Sequence, residues 1–586
     1  MSFIFSHKIY RNLSNYRLKI FIISESIYPS VSFSNQNVNK QNFLKQNLKQ
    51  YITTTTSLEK PVFITTPIFY VNAVPHIGHL YSAVMADSLK RYYELNDKKV
   101  ILSTGTDEHG LKIQQAAAKV NQSPQEFCDN VSKRFRELFD MANISYTTFI
   151  RTTEQKHKDA VKFFWEQLVN NGYIYKGIHE GWYSVSDEAF YSASQVQISN
   201  SDEKIANVSE SGQLVEWTEE ENYKFRLSKC KDELLRWLDE NPDVITPSNR
   251  FNEVKAFIKS DLADISVSRP QSRLYWGVSV PEDFNQTIYV WLDALINYLT
   301  VTGYPWPSQE NIINNHLTSG WPADVHIVGK DIIRFHAVYW PAFLMAAKLP
   351  LPRKIFAHSH WMMNKHKMSK SRGNVVDPFI VMKEYGVDTI RYYLMRDGGI
   401  SDDGTYDPTI LQTRYRKDLA GQLGNLVSRS TSLALNPSST IPASPSFIEG
   451  VNEKDMTLFK MLQQLPDLVS DHYENIEFGK GLELIFETVA EANKHFTDNE
   501  PWNLIKNPNR KVILDRVLFF AVETARISGI LLQPIMPTKM RELLDMIGVS
   551  NDERKWKHSR LGSGWQVKGG GNVKFNVKDG HFLFPK

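Results

Sequence analysis

Pro61-Val62-Phe63-Ile64-Thr65-Thr66-Pro67-Ile68-Phe69-Tyr70-Val71-Asn72-Ala73-Val74-Pro75-His76-Ile77-Gly78-His79-Leu80 contains the point where an apolar run ends and a helix begins. Residues Pro61 to Thr66 are short, β-branched and aromatic, without a helical period, which predicts a buried strand. Beyond Gly78, the apolar residues Leu80, Ala83, Val84, Ala86, Leu89 and Tyr92 mix with Asp87, Lys90 and Arg91 in a helix-compatible pattern. Strand, turn and helix in that order open a nucleotide-binding α/β unit, because the free N–H groups of a helix N-terminus attract anions. Gly78 has no Cβ, so a ligand can approach the backbone closely. His76 and His79 stand at that terminus, where imidazoles can donate hydrogen bonds to phosphate oxygens. Alone, such a pair equally fits two surface or metal-binding histidines in a loop.

The strand-to-helix rhythm recurs downstream. Val100-Ile101-Leu102-Ser103 predicts a strand that ends in Gly105-Thr106-Asp107-Glu108-His109-Gly110. Asp107 there can bind an ammonium group or cap a helix. Tyr289 to Tyr298 and Val325 to His336 each join a strand to a helix, and Ile355-Phe356-Ala357-His358 predicts a further strand. The loop after it carries His366-Lys367-Met368-Ser369-Lys370-Ser371-Arg372-Gly373-Asn374, whose lysines are mobile point charges. No Walker A loop precedes the helix at Gly78. In open sheets of this kind the C-terminal strand ends face one ligand crevice, and Ile68 and Tyr70 sit at such an end.

From about Tyr173 the rhythm breaks. Gly181 to Tyr191 reads as a strand pair and Trp217 to Leu238 as mostly helix, until the α/β pattern resumes near Asp264-Ile265-Ser266. Beyond Arg416, Leu419, Leu423, Leu426 and Val427 repeat at helical spacing, as do Leu458 to Leu465, Gly479 to Phe496 and Lys511 to Leu532. Pro534 and Pro537 then interrupt before a last helix near Met540. The expected fold is a Rossmann-type α/β parallel-sheet domain in two halves, 58–172 and 264–415, split by an insertion at 173–263. An α-helical bundle with a C-terminal tail, 416–586, follows.

With 586 residues, 42% apolar and 23% charged, the chain has the composition of a soluble multidomain protein. The apolar run Ile20 to Ile23 is far too short to cross a bilayer, so no membrane association is expected. Cys128 and Cys230 can build neither a disulfide framework nor a four-cysteine zinc site. The net charge of +3 hides an asymmetry: residues 1–57 hold seven Lys or Arg against Glu25 alone, contributing +6 and leaving −3 for the rest. Any nucleic-acid surface must therefore be a local patch. The first segment is rich in Ser, Asn and Gln and lacks Asp, the composition of an organellar transit peptide, with a mitochondrion favoured over a plastid. A disordered extension without an address is the plain alternative.

The stretch His76 to His79 followed by Lys367 to Ser371 resembles the paired HIGH and KMSKS motifs of class I aminoacyl-tRNA synthetases. Residues 65–80, 105–110, 289–298, 326–336, 366–374, 421–429 and 499–502 narrow the resemblance to the methionyl-tRNA synthetases of the short organellar or bacterial type, from about Pro61 to the end. The resemblance implies that L-methionine is activated with ATP and Mg²⁺ and transferred to tRNA(Met), here in the mitochondrial matrix. It implies catalytic roles for His76, His79, Lys367 and Lys370, and an ATP site that adds Gly78, Gly329 and Asp331. It places Ile68, Tyr70, Trp291, Ala294, Tyr298, Ile332 and His336 around the methionine side chain, with Asp107 on its ammonium. Leu295 departs from a proline of some relatives, and Arg269 loosely matches an arginine near the active site.

Many such relatives hold zinc in cysteine knuckles within the insertion. Here Ser184 occupies a ligand's place and no C-x-x-C pair exists, so no structural zinc is expected. In the helical region Asn425 and Arg429 lie four apart on one helix face, and with Trp502 they suit recognition of splayed anticodon bases. The chain is too short for the editing domain of the branched-aliphatic synthetases, and a cysteinyl enzyme would need the missing zinc ligands. A tRNA-binding paralogue without catalysis is the alternative of another class. No appended dimerisation module is visible, so a monomer is expected.

Overall fold

Along the strand Val62–Tyr70, successive side chains enter different cores. Ile64 joins one hydrophobic cluster together with Leu102, Ile327 and Phe356, whereas Phe63 joins another with Val328, Ile355 and Ala357. This period-two alternation is what a sheet covered on both faces requires, and it explains why its strands read as continuous apolar runs. The computed structural model describes residues 60–184, 189–191, 196–199, 202–208, 214–260, 262–306, 320–363, 366–367, 376–442, 453–563, 574–577 and 581–585. The basic segment 1–57 and the glycine-rich tail at 569–571 lie outside them.

Six parallel strands form the central sheet in the order Thr148–Arg151, Val100–Asp107, Val62–Tyr70, Val325–Gly329, Ile355–His358, Ile245–Thr246. The chain first builds outward to one edge and then crosses to the other side of Val62–Tyr70. Strand order therefore reverses between Val62–Tyr70 and Val325–Gly329, the place where such sheets open a crevice. The first strand runs on to Tyr70, past the expected end at Thr66. Its register shifts between Thr65 and Ile68, where Pro67 has no N–H to give the ladder.

Two readings of the middle segment need correction. The stretch from Trp217 is helical only in its second half: Leu214–Phe225 is a strand antiparallel to Ile174–Ser184, and helix follows it, as a 3₁₀ turn at Leu227–Cys230 running into Lys231–Glu240. Glu219, Glu220 and Glu221 follow one another and only Val215, Asn222 and Phe225 are buried, so no two-residue apolar period marks this strand. Nor does the α/β pattern resume at Ile265. Ile265–Ser266 extends this antiparallel sheet, and Ser268–Pro270 pairs with Asp283–Ile288 in a separate three-stranded one. Ile245–Thr246, within 173–263, belongs to the parallel sheet. Trp182, Val196, Ala206, Val208 and Val215 form a small apolar core of their own in the outer sheet. Among the described residues no cluster of three or more His, Cys, Asp or Glu could hold a metal.

The helix Ile77–Leu95 carries the first core from the sheet into the helical region. Tyr92 shares a hydrogen bond with Ser470 at 2.6 Å and donates to Glu474 at 3.0 Å. The fully buried Arg391 donates to the equally buried Asp87 at 2.6 Å and to the carbonyls of Ile535 and Pro534 at 2.8 and 3.0 Å. Burial pushes the Asp87 carboxyl up, but Arg391 and Arg91 outweigh it and hold the group below the usual carboxylate range. The bundle itself consists of Glu453–Glu474, Phe478–Asp498, Lys511–Leu532 and Pro537–Met546, entered through a wide π-helical stretch, Arg414–Gly424, and Asn425–Ser430.

Candidate active site

His76 is the N-cap of the helix Ile77–Leu95, and the two histidines cap it reciprocally. His76 Nδ1 accepts from the Gly78 N–H and His79 Nδ1 from the His76 N–H, both at 3.1 Å. The rings stack with centroids 3.8 Å apart. A neutral imidazole whose Nδ1 accepts must carry its proton on Nε2, so both rings are set as donors beside the helix N-terminus. A side chain at position 78 would press on the His76 ring, since a Cβ there lies 3.0 Å from Cε1.

These groups open on a cleft of about 590 Å³ at the switch point of the sheet. Ile68, Tyr70, His76, Gly78, His79, Asp107, Trp291, Ala294, Tyr298, Gly329, Asp331, Ile332 and His336 all line it, as does Leu295. Asp107 ends its strand beside Tyr70 in the register. It does not cap the helix Leu111–Lys119, whose N-cap is Gly110, so the capping alternative for this acid falls away. The neighbouring residues brace it. Glu108 accepts from two of the three Arg151 nitrogens at 2.7 and 2.9 Å, and His109 Nδ1 meets Asp293 at 2.6 Å. His157 reaches the other Asp293 oxygen at 2.8 Å. Burial alone would raise the Asp293 carboxyl, but the two imidazoles prevail and hold it well below the usual range.

At the apolar end, His336 donates from Nδ1 to the Ile332 carbonyl at 3.0 Å, so its Nε2 receives the Tyr298 hydroxyl at 2.8 Å. Both side chains are buried, and burial pushes the His336 imidazole down to about 4. The pocket end is therefore neutral at physiological pH. Trp291 stacks on Phe335 at 3.6 Å and meets His336 edge-on. His326, directly behind Tyr298, is depressed by burial in the same way and bonds Thr65 at 2.7 Å.

Sequence reasoning missed part of the other end. His358, Ser359, His360 and Trp361 line the cleft, as do Lys112 and Phe335. His358 is the last residue of a parallel strand and sits beside Gly329 in the register, so the strand-end rule contained the signal for it. Its Nδ1 donates to the Ser359 carbonyl at 2.9 Å, its Nε2 meets the Ser82 hydroxyl at 2.7 Å, and burial lowers it to about 4. Asp331 bonds His360 Nε2 at 3.0 Å. Trp361–Met363 pairs antiparallel with His366–Lys367, with Met362 opposite Lys367. Lys370 and the rest of 368–375 lie outside the described residues. Arg269 does not line this cleft; it bonds Ser266 and the Ser268 carbonyl and lies over the Tyr289 ring.

In the helical region Arg429 lies 5.9 Å from the Trp502 ring and 4.7 Å from Phe496, and Trp502 is 39% exposed. Asn425, one turn earlier, donates to Asn493 at 3.4 Å. The three thus share one partly exposed face.

The family described as tRNA synthetases class I (M) matches residues 62–431. A probable mitochondrial methionine–tRNA ligase of Neurospora crassa is 45% identical over 525 residues, covering 87% of this chain and 83% of that protein. The human mitochondrial methionine–tRNA ligase is 46% identical over 509 residues, covering 84% of each. Among solved structures, Mycobacterium tuberculosis methionyl-tRNA synthetase in complex with methionyl-adenylate superposes with a TM-score of 0.82 at 38% identity, covering 90% of this chain and all of that one.

Proposed function

The chain belongs to the methionine-specific class I tRNA synthetases, and on that premise we infer that it is a mitochondrial methionine–tRNA ligase working through methionyl-adenylate. The observation that carries this is the convergence of Asp107, the paired histidines, Trp291, Asp331 and His336 on one cleft. The methionine ammonium meets Asp107, and its side chain lies among Ile68, Tyr70, Trp291, Ala294, Tyr298, Ile332 and His336. A polarisable thioether suits such aromatic walls. ATP enters as its Mg²⁺ complex, with its ribose toward Gly329 and Asp331 and its phosphates toward Gly78 and the two Nε2–H donors.

The methionine carboxylate attacks the α-phosphorus, the bond to pyrophosphate breaks, and the departing charge is met by His76, His79, Lys367 and Lys370. Little else is required of the protein, because phosphoryl transfer needs chiefly positioning and charge stabilisation. The terminal ribose hydroxyl of tRNA(Met) then attacks the adenylate carbonyl, and AMP leaves. Asn425, Arg429 and Trp502 take the anticodon bases, and no structural zinc is required. The molecule acts as a monomer. Methionine-dependent ATP–pyrophosphate exchange, followed by charging of a tRNA(Met) transcript, tests the reading. Binding of the tRNA with no exchange would instead make the chain a catalytically silent paralogue.

A further inference from the structure

His360 lines the cleft but belongs to none of the motifs. Its Nε2 lies 3.0 Å from Asp331 Oδ1, and its backbone N–H donates to Asp403 at 2.9 Å. The same Asp403 oxygen receives Lys330 at 2.7 Å. The turn Gly329-Lys330-Asp331 is thus held at two of its three residues from one direction, and His360, Asp403 and the turn form a closed ring of contacts. The space inside that ring is narrow. A Cβ on Gly329 would stand 2.6 Å from Asp331 Oδ1 and 3.8 Å from His360 Nε2, so the two side chains close over bare backbone. The residue after His360 begins the strand Trp361–Met363, which pairs with Lys367.

We propose that His360 is a positioning residue for the nucleotide, holding the Asp331 carboxylate in the orientation that receives the ribose and joining it to the root of the lysine loop. This rests on the reading of Asp331 as the ribose acceptor. The Asp331 side chain is 49% exposed, and an exposed carboxylate left to itself samples several rotamers. Fixing it before ATP arrives removes that ordering cost from binding. Because the imidazole backbone is itself pinned by Asp403, the fixed point is shared with Lys330.

The test is pyrophosphate exchange by the full chain with ATP, 2′-deoxy-ATP and 3′-deoxy-ATP. His360→Ala should raise KM for ATP about tenfold, the scale of one hydrogen bond to a charged group, while KM for methionine stays unchanged. The preference for ATP over the deoxy substrate whose hydroxyl Asp331 holds should shrink by a similar factor. His360→Gln, whose amide can donate from near the Nε2 position, should restore most of both. A wild-type KM and preference in His360→Ala would overturn the inference, as would an equal rise in both KM values or no recovery with glutamine. Asp331→Asn, measured in parallel, separates the two levels. If it too is unchanged, the ribose reading fails and takes this inference with it; if it alone loses ATP, only the role of His360 falls.

Discussion

Mild acid should weaken this fold, and the histidines of the cleft set the size of the effect. His336 and His358 are buried, each accepting a hydroxyl at Nε2, and burial lowers both to about 4. An unfolded chain titrates its histidines near 6.5. Between those values the unfolded state binds a proton on each imidazole that the folded state refuses. Stability therefore rises with pH in this window and falls on acidification. From pH 7 to pH 5 each of the two contributes a loss of about 2 kcal/mol, or about 4 kcal/mol together at 25 °C. His326, shifted in the same direction, adds to it. Asp87 and Asp293, held below the usual carboxylate range, keep their contribution until the pH is lower still. Urea unfolding followed by tryptophan fluorescence at pH 7, 6 and 5 measures the slope. His336→Asn should reduce the loss by about 2 kcal/mol whatever its effect on absolute stability. A free energy that is flat or rising toward pH 5 would refute the reasoning, because it would mean that these imidazoles are already charged when folded.

His79→Ala or Lys370→Ala should each lower methionine-dependent exchange by about 10²–10³, the cost of losing one transition-state donor; wild-type exchange in either would contradict its role. Trp502→Ala should cut charging of tRNA(Met) by about 10–100-fold, one base-stacking contact, while leaving exchange near normal; equal loss of both would make the tryptophan structural. Arg391→Met leaves the fully buried Asp87 with Arg91 as its remaining cation and should cost about 3–5 kcal/mol in urea unfolding; a change under about 1 kcal/mol would show that water or Arg91 compensates.

What could be read from the chain and what could not divide along a physical line. Tyr70, Asp107 and Gly329 were readable as crevice positions because a buried parallel strand is a short apolar run followed by a break, and function gathers there. Two strands nonetheless run on to Tyr70 and Asp107, beyond the apolar runs ending at Thr66 and Ser103. The helices from Lys511 to Leu532 and Gly479 to Phe496 were readable because their apolar spacing repeats over several turns. Leu214–Phe225 was not. Its acids fall on both faces of an antiparallel sheet, Glu216 and Glu220 on one and Glu219 and Glu221 on the other, so no apolar alternation announced a strand. The His109–Asp293–His157 brace was invisible for another reason: three residues separated by 184 and 136 positions meet only after the sheet has formed. His360 was missed because no local pattern marks a residue whose partner lies 29 positions away across a register.

The two ends of the cleft obey opposite electrostatics, and the sheet explains how one fold supports both. Tyr298, His336 and His326 are buried, and they survive there as neutral groups, Tyr298 bonding His336 and His326 bonding Thr65. A neutral, dry wall suits a thioether and offers nothing to a charged side chain of similar length. His76, His79 and Asp331 instead stand at a helix terminus and a strand end, where backbone groups and solvent tolerate charge. The switch between Val62–Tyr70 and Val325–Gly329 brings the two environments within one cleft of about 590 Å³. Asp107 stands between them at the strand end beside Tyr70, where the ammonium and carboxylate of the amino acid must lie if its side chain points one way and the triphosphate the other. Replacing Asp107 by a neutral isostere should therefore weaken methionine without moving ATP, and a variant that lost both equally would show that the cleft is not divided in this way.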